Sequence, residues 1–448
     1  MRKLFQGLLG FLAQRTVRRF KPTVVAVTGS VGKTSTKEAI AAVLARAGTV
    51  RKNSGNLNNE IGVPLTIFGK QGSAGVNPFF WLGVFFGAVW KLIRGGAYPK
   101  YLVLEMAADH PGDIHYLTWI APPRIGVVTA VSPVHMQFYS SIGDVAKEKF
   151  GVIKPLTAEG FALLNADDEV VRNFASQTKA KVITFGKNED ATVRLSIATP
   201  AYGPPLPSNT RKAVLGVNVG LVHMNDAAEI FVQGVIGEGI AASLLAAAAV
   251  GHVVGVSLPQ AAAALTGLRF PPGRMRLLEG MDDILLVDDT YNSSPRAVHA
   301  ALQAVAALDP SMDRPVRRYA VLGHMAELGI TAEQLHEETG RMVAEAAFDG
   351  LIVLGEHAHA VARGAEAGGM TQERLFIAKH HEQAIAHLHT LLEPGDIVLV
   401  KGSQAARMEA VVAALLKDPA LAGELLVRQG AAWQKSKPVI RLNITTSS

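Results

Sequence analysis

Short, unbroken apolar runs recur along this sequence, at 24–27, 101–104, 125–128 and 160–164, and again at 284–287, 319–322, 351–354, 374–377 and 397–400. Helical patterns lie between them, among others at 34–47, 244–253, 258–266, 332–347 and 407–416. A strand that is apolar at every position is covered on both faces, and such strands alternating with helices build parallel sheets. The chain is therefore expected to hold two doubly wound α/β units. Residues 181–237 break this rhythm with alternating segments and a Gly203-Pro204-Pro205 turn, which predicts an antiparallel excursion attached to the first unit. The Pro271-Pro272-Gly273 turn separates the units. The expected division is a helix at 1–20, a central unit at 21–270, a second unit at 271–434 and a polar tail at 435–448.

The 448 residues are 49% hydrophobic and 18% charged, which supplies several cores and excludes a disordered chain. A net charge of +6 favours anionic small molecules or lipid surfaces, and no block of like charge suggests a nucleic-acid groove. With no cysteine, disulfides, thiolate zinc sites and cysteine nucleophiles are excluded. Residues 1–20 mix Leu4, Phe5, Leu8, Leu9, Phe11 and Leu12 with Arg2, Lys3, Arg15, Arg18 and Arg19. The arginines, with Gln6 and Gln14, spoil a signal peptide. The segment reads as a basic amphipathic helix, either docked on the protein or lying on a membrane surface. A second apolar stretch, 79–93, is interrupted by Gly83, Gly87 and Lys91 and falls short of the ~20 residues that a membrane span requires.

The first apolar run opens into Thr28-Gly29-Ser30-Val31-Gly32-Lys33-Thr34-Ser35 and then a helix. A phosphate needs inward-facing backbone N–H groups at a helix N-terminus and a cation that reaches the outer oxygens. Gly29 and Gly32 permit the tight turn, Lys33 supplies the cation, and the Thr34 hydroxyl is placed for Mg²⁺. The loop is shorter than the G-x-x-x-x-G-K-[ST] form, since Val27 precedes it. A nucleotide site is expected here; the plainer alternative is a glycine turn entering a helix.

This shortened loop resembles the ATP loop of the Mur ligase family, which joins an amine to a carboxylate at the expense of ATP. Other segments agree in order. Gly55-Asn56-Leu57-Asn58-Asn59-Glu60-Ile61-Gly62-Val63-Pro64 resembles the G-N-x-N-N-x-I-G-V-P of the branch that adds D-alanyl-D-alanine to a muropeptide. Glu105-Met106 with Gly112, Asp288-Asp289-Thr290-Tyr291-Asn292, Leu322-Gly323 with Met325 and Glu327, and Lys401-Gly402-Ser403 with Met408-Glu409 continue the series. The resemblance implies a P-loop ATPase domain followed by a Rossmann-like domain, with ATP and Mg²⁺ as cofactors. It implies Lys33, Glu105, His135 and Lys149 as catalytic residues. Thr34, Glu105, His135 and a carbamylated Lys149 (with Lys147 as second choice) are the implied metal ligands. ATP is expected at Gly29 to Ser35, at Asn165 and Asp168 near the base, at Arg274 on the phosphates and at Asp289 on the ribose. Substrate is expected at Asn56, Asn58, Asn59, Asn292 and Lys401. The implied enzyme is a cytoplasmic monomer of peptidoglycan synthesis that acts on a muropeptide-like acid and D-alanyl-D-alanine, without nucleic acid. The alternatives are the same chemistry on a non-uridylated or lipid-linked acid, or a nucleotide-binding regulatory protein.

Some positions depart from the family pattern. Ala107 replaces a glycine, Asp109 an asparagine and His324 an acid, while 129–137 and 237–243 lose expected Asn, Glu and His residues. The family normally carries a uridine-nucleotide domain ahead of the loop, and about twenty residues precede it in this sequence, too few for a domain. Acid binding is thus expected to draw on 53–59, 107–113 and the two apolar segments.

Overall fold

A computed structural model describes residues 2–55, 57–70, 77–134, 136–208, 210–312, 315–430 and 433. In the first part of the chain, β1 (Thr23–Thr28), β2 (Val50–Lys52), β3 (Tyr101–Glu105), β4 (Ile125–Val128), β5 (Phe161–Asn165), β6 (Lys181–Gly186), β7 (Val193–Pro205), β8 (Lys212–His223) and β9 (Asp226–Gln233) form one nine-stranded sheet. Its order is β2-β3-β1-β4-β5-β6-β7-β8-β9. Strand β1 lies between β3 and β4, with Val25 in register with Val103 on one side and Ile125 on the other. The chain turns one way from β1 to reach β2 and β3 and then crosses to β4, so the sheet has a switch point at the carboxyl end of β1. Ligands of open parallel sheets bind in such crevices.

The helices of this part are α1 (Arg2–Phe20), α2 (Lys33–Leu44), α3 (Gly62–Phe68), α4 (Pro78–Arg94), α5 (Asp113–Ile120), α6 (Ile142–Phe150), α7 (Glu169–Arg172), α8 (Glu238–Val253) and α9 (Leu258–Leu265). Successive strand residues point to opposite faces. Val25, Val27 and Val103 accordingly pack with Ile40 and Leu44 of α2, Leu244 of α8 and Leu265 of α9. Val24, Ala26, Leu102 and Leu104 pack on the other face with Ala13 and Val17 of α1, Ile67 of α3 and Leu117 of α5. Helix α8 is apolar on nearly every side and correspondingly buried from Leu244 to Gly251. Helix α1 is docked on the protein: Leu9, Ala13, Gln14 and Val17 are buried, and Gln14 donates to the Trp119 carbonyl at 2.8 Å. No described helix is long and apolar enough to cross a membrane.

One expectation needs correction. Strand β6 pairs parallel with β5, and β7 joins β6 in parallel, so the antiparallel part begins only with the β7–β8 and β8–β9 ribbons rather than at 181. The parallel sheet therefore runs further than the pattern suggested, because β6 is half exposed and lacks a continuous apolar run.

The second part holds β10 (Arg276–Glu279), β11 (Leu285–Asp289), β12 (Arg318–Gly323), β13 (Gly350–Leu354), β14 (Leu375–Ala378) and β15 (Ile397–Lys401) in a six-stranded sheet ordered β10-β11-β15-β12-β13-β14. Only the β10–β11 pair is antiparallel. Val287, Leu322 and Leu399 pack on one face and Leu286, Val321 and Val400 on the other, each against flanking helices. The β7–β8 ribbon reaches this sheet: Lys212 N–H donates to the Pro310 carbonyl at 2.9 Å, and the Asp309 N–H to the Tyr202 hydroxyl at 2.8 Å. Leu104 is fully buried one residue before Glu105. Leu104→Ala is expected to cost about 2–5 kcal/mol of stability, seen as a lower thermal midpoint in calorimetry.

Candidate active site

The carboxyl ends of β1, β3, β4 and β5 deliver the side chains of one cluster. After β1 the chain turns through Gly29, at φ +147°, and Gly32, at φ +81°, into α2. A Cβ on Gly29 would lie 2.0 Å from Thr129 Oγ1 and 3.0 Å from the Ala130 nitrogen, so only glycine fits. The loop is sewn to the end of β4: Ser30 N–H donates to Ala130 O at 2.8 Å, Ser30 Oγ to Ser132 O at 3.1 Å, and Thr129 Oγ1 to Val31 O. Lys33 folds back on its own loop, donating to Gly29 O at 2.7 Å, and burial pulls its pKa down against the pull of Glu105.

Glu105, at the end of β3, is buried at the centre. Its Oε1 accepts from Thr34 Oγ1 at 3.3 Å and from Asn58 Nδ2 at 3.0 Å. Its Oε2 faces the fully buried Lys37 ammonium at 3.6 Å, with no hydrogen-bond partner among the described residues. Asn53 brackets the backbone of Glu105, its Oδ1 accepting from Glu105 N and its Nδ2 donating to Glu105 O, both at 2.9 Å. Lys149 sits in the last turn of α6 and is buried, whereas Lys147 is exposed. Burial, and then repulsion from Lys33, lowers the Lys149 pKa to about 7. Among the described residues no group of three or more His, Cys, Asp or Glu is placed to hold a metal. Thr34 and Glu105 are instead hard-oxygen donors beside a phosphate-type loop, a set that suits Mg²⁺ shared with phosphate oxygens.

Of the two residues expected near the base, Asn165 donates to the Thr129 carbonyl at 2.7 Å. Asp168 accepts from Val131 N–H at 2.9 Å, caps α7 through Val171 N–H at 3.1 Å, and pairs with Arg296 of the second unit. Both thereby hold the backbone that lies under the loop. Arg274 follows Gly273 and reaches across from the second unit, its Nη2 donating to Thr34 Oγ1 at 3.2 Å while its guanidinium lies 4.0 Å over the Tyr291 ring. Asp289 pairs with the buried Lys401 ammonium and accepts from Met275 N–H at 3.2 Å. Lys401 also donates to Asn292 O at 3.0 Å, while the Asn292 side chain is exposed. Asn59 accepts from Gly62 N–H at 2.9 Å and so caps α3. His135 and Asn56 lie outside the described residues. Sequence reasoning did not find Lys37, Arg296 or Arg428. Lys37 stands one helical turn after Lys33, the only signal available. Arg428 grips Glu409 with two nitrogens and reaches the Tyr291 carbonyl at 3.1 Å.

The Mur ligase middle domain matches residues 27–76 and 92–250, and the glutamate ligase domain of Mur ligases matches residues 273–404. The chain is 34% identical over 418 residues to the UDP-N-acetylmuramoyl-tripeptide--D-alanyl-D-alanine ligase of Mycobacterium bovis, covering 88% of this chain and 73% of that protein. The chain belongs to the Mur ligase family. The protein of the same name from Escherichia coli is 30% identical over 413 residues, covering 91% of this chain and 80% of its own length. Among solved structures, MurF ligase from Thermotoga maritima in complex with ADP is 27% identical, with a TM-score of 0.73 over 91% of this chain and 82% of that one. The cluster around Glu105 and the Arg274 bridge thus lie within the stretches that match the two Mur ligase domains. Gly29→Ala is expected to weaken ATP binding at least about tenfold, since the strained turn must open away from Thr129; titration calorimetry with ATP measures it.

Proposed function

We propose that this Mur ligase activates a substrate carboxylate with ATP and joins it to an amine, releasing ADP and phosphate. The preferred substrates are a muramoyl peptide acid and D-alanyl-D-alanine, in peptidoglycan synthesis in the cytoplasm. The observation that carries the reading is the meeting of both units on one hydroxyl: Thr34 of the phosphate loop faces Glu105 from its own sheet and Arg274 from the second. The names of the relatives support the choice of substrates.

A carboxylate oxygen attacks the γ-phosphorus, the bond to the β–γ bridging oxygen breaks, and ADP leaves with those electrons. The amine then adds to the acyl carbon, loses a proton, and expels inorganic phosphate. The first step brings anions together and needs positive charge on the phosphate oxygens. Lys33 at the loop and Arg274 from the facing unit supply it. Bound Mg²⁺ would neutralise phosphate charge, with Thr34, Glu105, His135 and a carbamylated Lys149 as its proposed ligands; the buried Glu105 Oε2, which takes no hydrogen bond from the described residues, fits that role. Docking of the second unit excludes water from the acyl phosphate, which hydrolysis would waste. Asn58 and Asn59, together with Asn56, lie on the segment that faces the acid.

Carbamylation of Lys149 requires the neutral amine, and its lowered pKa of about 7 provides that form near neutrality. Below that value the neutral fraction falls about tenfold per pH unit. The carbamate carbon signal of protein labelled with ¹³C-bicarbonate is therefore expected to fade between pH 8 and pH 6, and Lys149→Ala is expected to lack it and to regain turnover with added short carboxylic acids.

The deciding experiment measures ADP release with a uridylated muramoyl tripeptide, with the same tripeptide lacking the nucleotide, and with D-alanyl-D-alanine present or absent. Amine-dependent release with either acid supports ligation, and the ratio of the two kcat/KM values identifies the acid. ADP release that ignores both acid and amine overturns the proposal. Lys33→Ala is expected to lower kcat/KM about 10²–10³-fold.

A further inference from the structure

Helix α4 buries one side and leaves the other bare. Val84 and Ala88 are buried, and Phe80, Trp81 and Phe85 pack with Phe5, Leu9 and Leu65. Phe79, Leu82, Phe86, Val89, Trp90 and Ile93 are exposed, Phe79 to 82% and Ile93 to 70%. At about 100° per residue these six fall within one narrow arc, a continuous outward stripe. Helix α1 lies alongside in the same direction, since Phe5 stacks edge-on to Trp81 at 4.7 Å and Arg19 Nη2 donates to Ile93 O at 3.4 Å. Its own outward stripe runs through Leu4, Leu8 and Phe11 and then turns basic at Arg15 and Arg18.

The charge on this pair has one sign. Neither α1 nor α4 contains a carboxylate; Arg15, Arg18 and Arg19 of α1 and Lys91 and Arg94 of α4 gather at the shared C-terminal end, and Arg2 and Lys3 open α1. Arg15 lies 5.0 Å over the Phe11 ring and Arg94 4.5 Å over the Trp90 ring, so each cation borders the apolar stripe. An apolar strip of this size on a water-facing surface marks a contact. The same two helices of a second copy would offer these cations no carboxylate, since neither helix carries one. An anionic lipid surface offers acyl chains to the stripe and phosphates to the cations.

We propose that α1 and α4 form a platform that docks this protein on an anionic membrane surface, both helices lying in the plane of the headgroups. The stripe enters the acyl boundary, with Trp90 at its edge, and Arg15, Arg18 and Arg94 meet lipid phosphates. The platform adjoins the acid-facing segment, because Gln6 Nε2 donates to Glu60 Oε1 at 3.0 Å. The docking itself is independent of the ligase reading, since it is measured without turnover.

The test is co-sedimentation of the full chain with phosphatidylcholine vesicles, with and without phosphatidylglycerol. Partition onto the anionic vesicles is expected to exceed that onto pure phosphatidylcholine at least about tenfold and to fall as salt rises. Leu82→Glu with Phe86→Glu is expected to lower that partition at least about tenfold while thermal midpoint and ATP affinity stay unchanged. Arg15→Gln with Arg18→Gln and Arg94→Gln is expected to erase the preference for phosphatidylglycerol, and brominated lipid is expected to quench tryptophan fluorescence only in vesicle-bound protein. Equal sedimentation of parent and Leu82→Glu/Phe86→Glu chains overturns the proposal. So does a dimer in solution that those substitutions dissolve while vesicles bind neither form.

Discussion

The buried carboxylate of Glu105 ties the first unit together. It stands at the end of β3 and is met from two separate stretches: it accepts from Thr34 on α2 and from Asn58 on the segment after β2, and the Lys37 ammonium, also on α2, faces it at 3.6 Å. Asn53 fixes its backbone from both sides. Removing one partner of a buried pair leaves an uncompensated charge and costs about 3–5 kcal/mol. The position of Glu105 is thus set by the interactions that also fix the loop, the helix behind it and the segment after β2. Displacing the carboxylate disturbs all of them together.

The second unit is joined to this centre by cations of its own. Arg274 reaches Thr34, and Arg296 reaches Asp168 and, at 3.3 Å, the Val131 carbonyl. Behind Arg274, Gly273 is held by Asp288, whose carboxylate accepts from Gly273 N–H at 3.0 Å, and Asp289 anchors the next residue but one through Met275 N–H. The adjacent acids of the Asp288-Asp289 pair therefore aim the arginine, while Lys401 balances the second of them. This part of the chain acts on the phosphate loop through a bracket built from β11 and β15, with the β7–β8 ribbon as a second attachment between the sheets.

Strands covered on both faces were readable from the sequence, since a buried parallel strand has no polar position to blur its run. β1, β3, β4 and the central strands of the second sheet fall where the apolar runs stand. The edge strands β2 and β10 carry Arg51, Lys52, Arg276 and Glu279, and nothing in such a pattern separates them from loop. Motif order located the loop, Glu105, Lys149 and Arg274 near one another. It gave no account of Lys37, whose ammonium lies 3.4 Å from the adjacent Glu38 and 3.6 Å from Glu105, because the approach to Glu105 is made only by the folded chain. Nor did it show that Asn165 and Asp168 spend their polar atoms on the backbone of 129–131 and 171, which only the folded course of the chain determines.

Strand β15 lies between β11 and β12 although more than a hundred residues separate it from β11 in the chain. Until 397–401 are available, β11 and β12 have an unfilled gap between them, and Asp289 has no Lys401 to pair with. Parallel pairing over such a separation is slow and leaves strand edges open while it waits. During synthesis, then, the first sheet has every strand it needs well before the second does. The aiming of Arg274 is among the last features to mature, and a nascent chain can acquire its phosphate loop long before it acquires the partner that faces it.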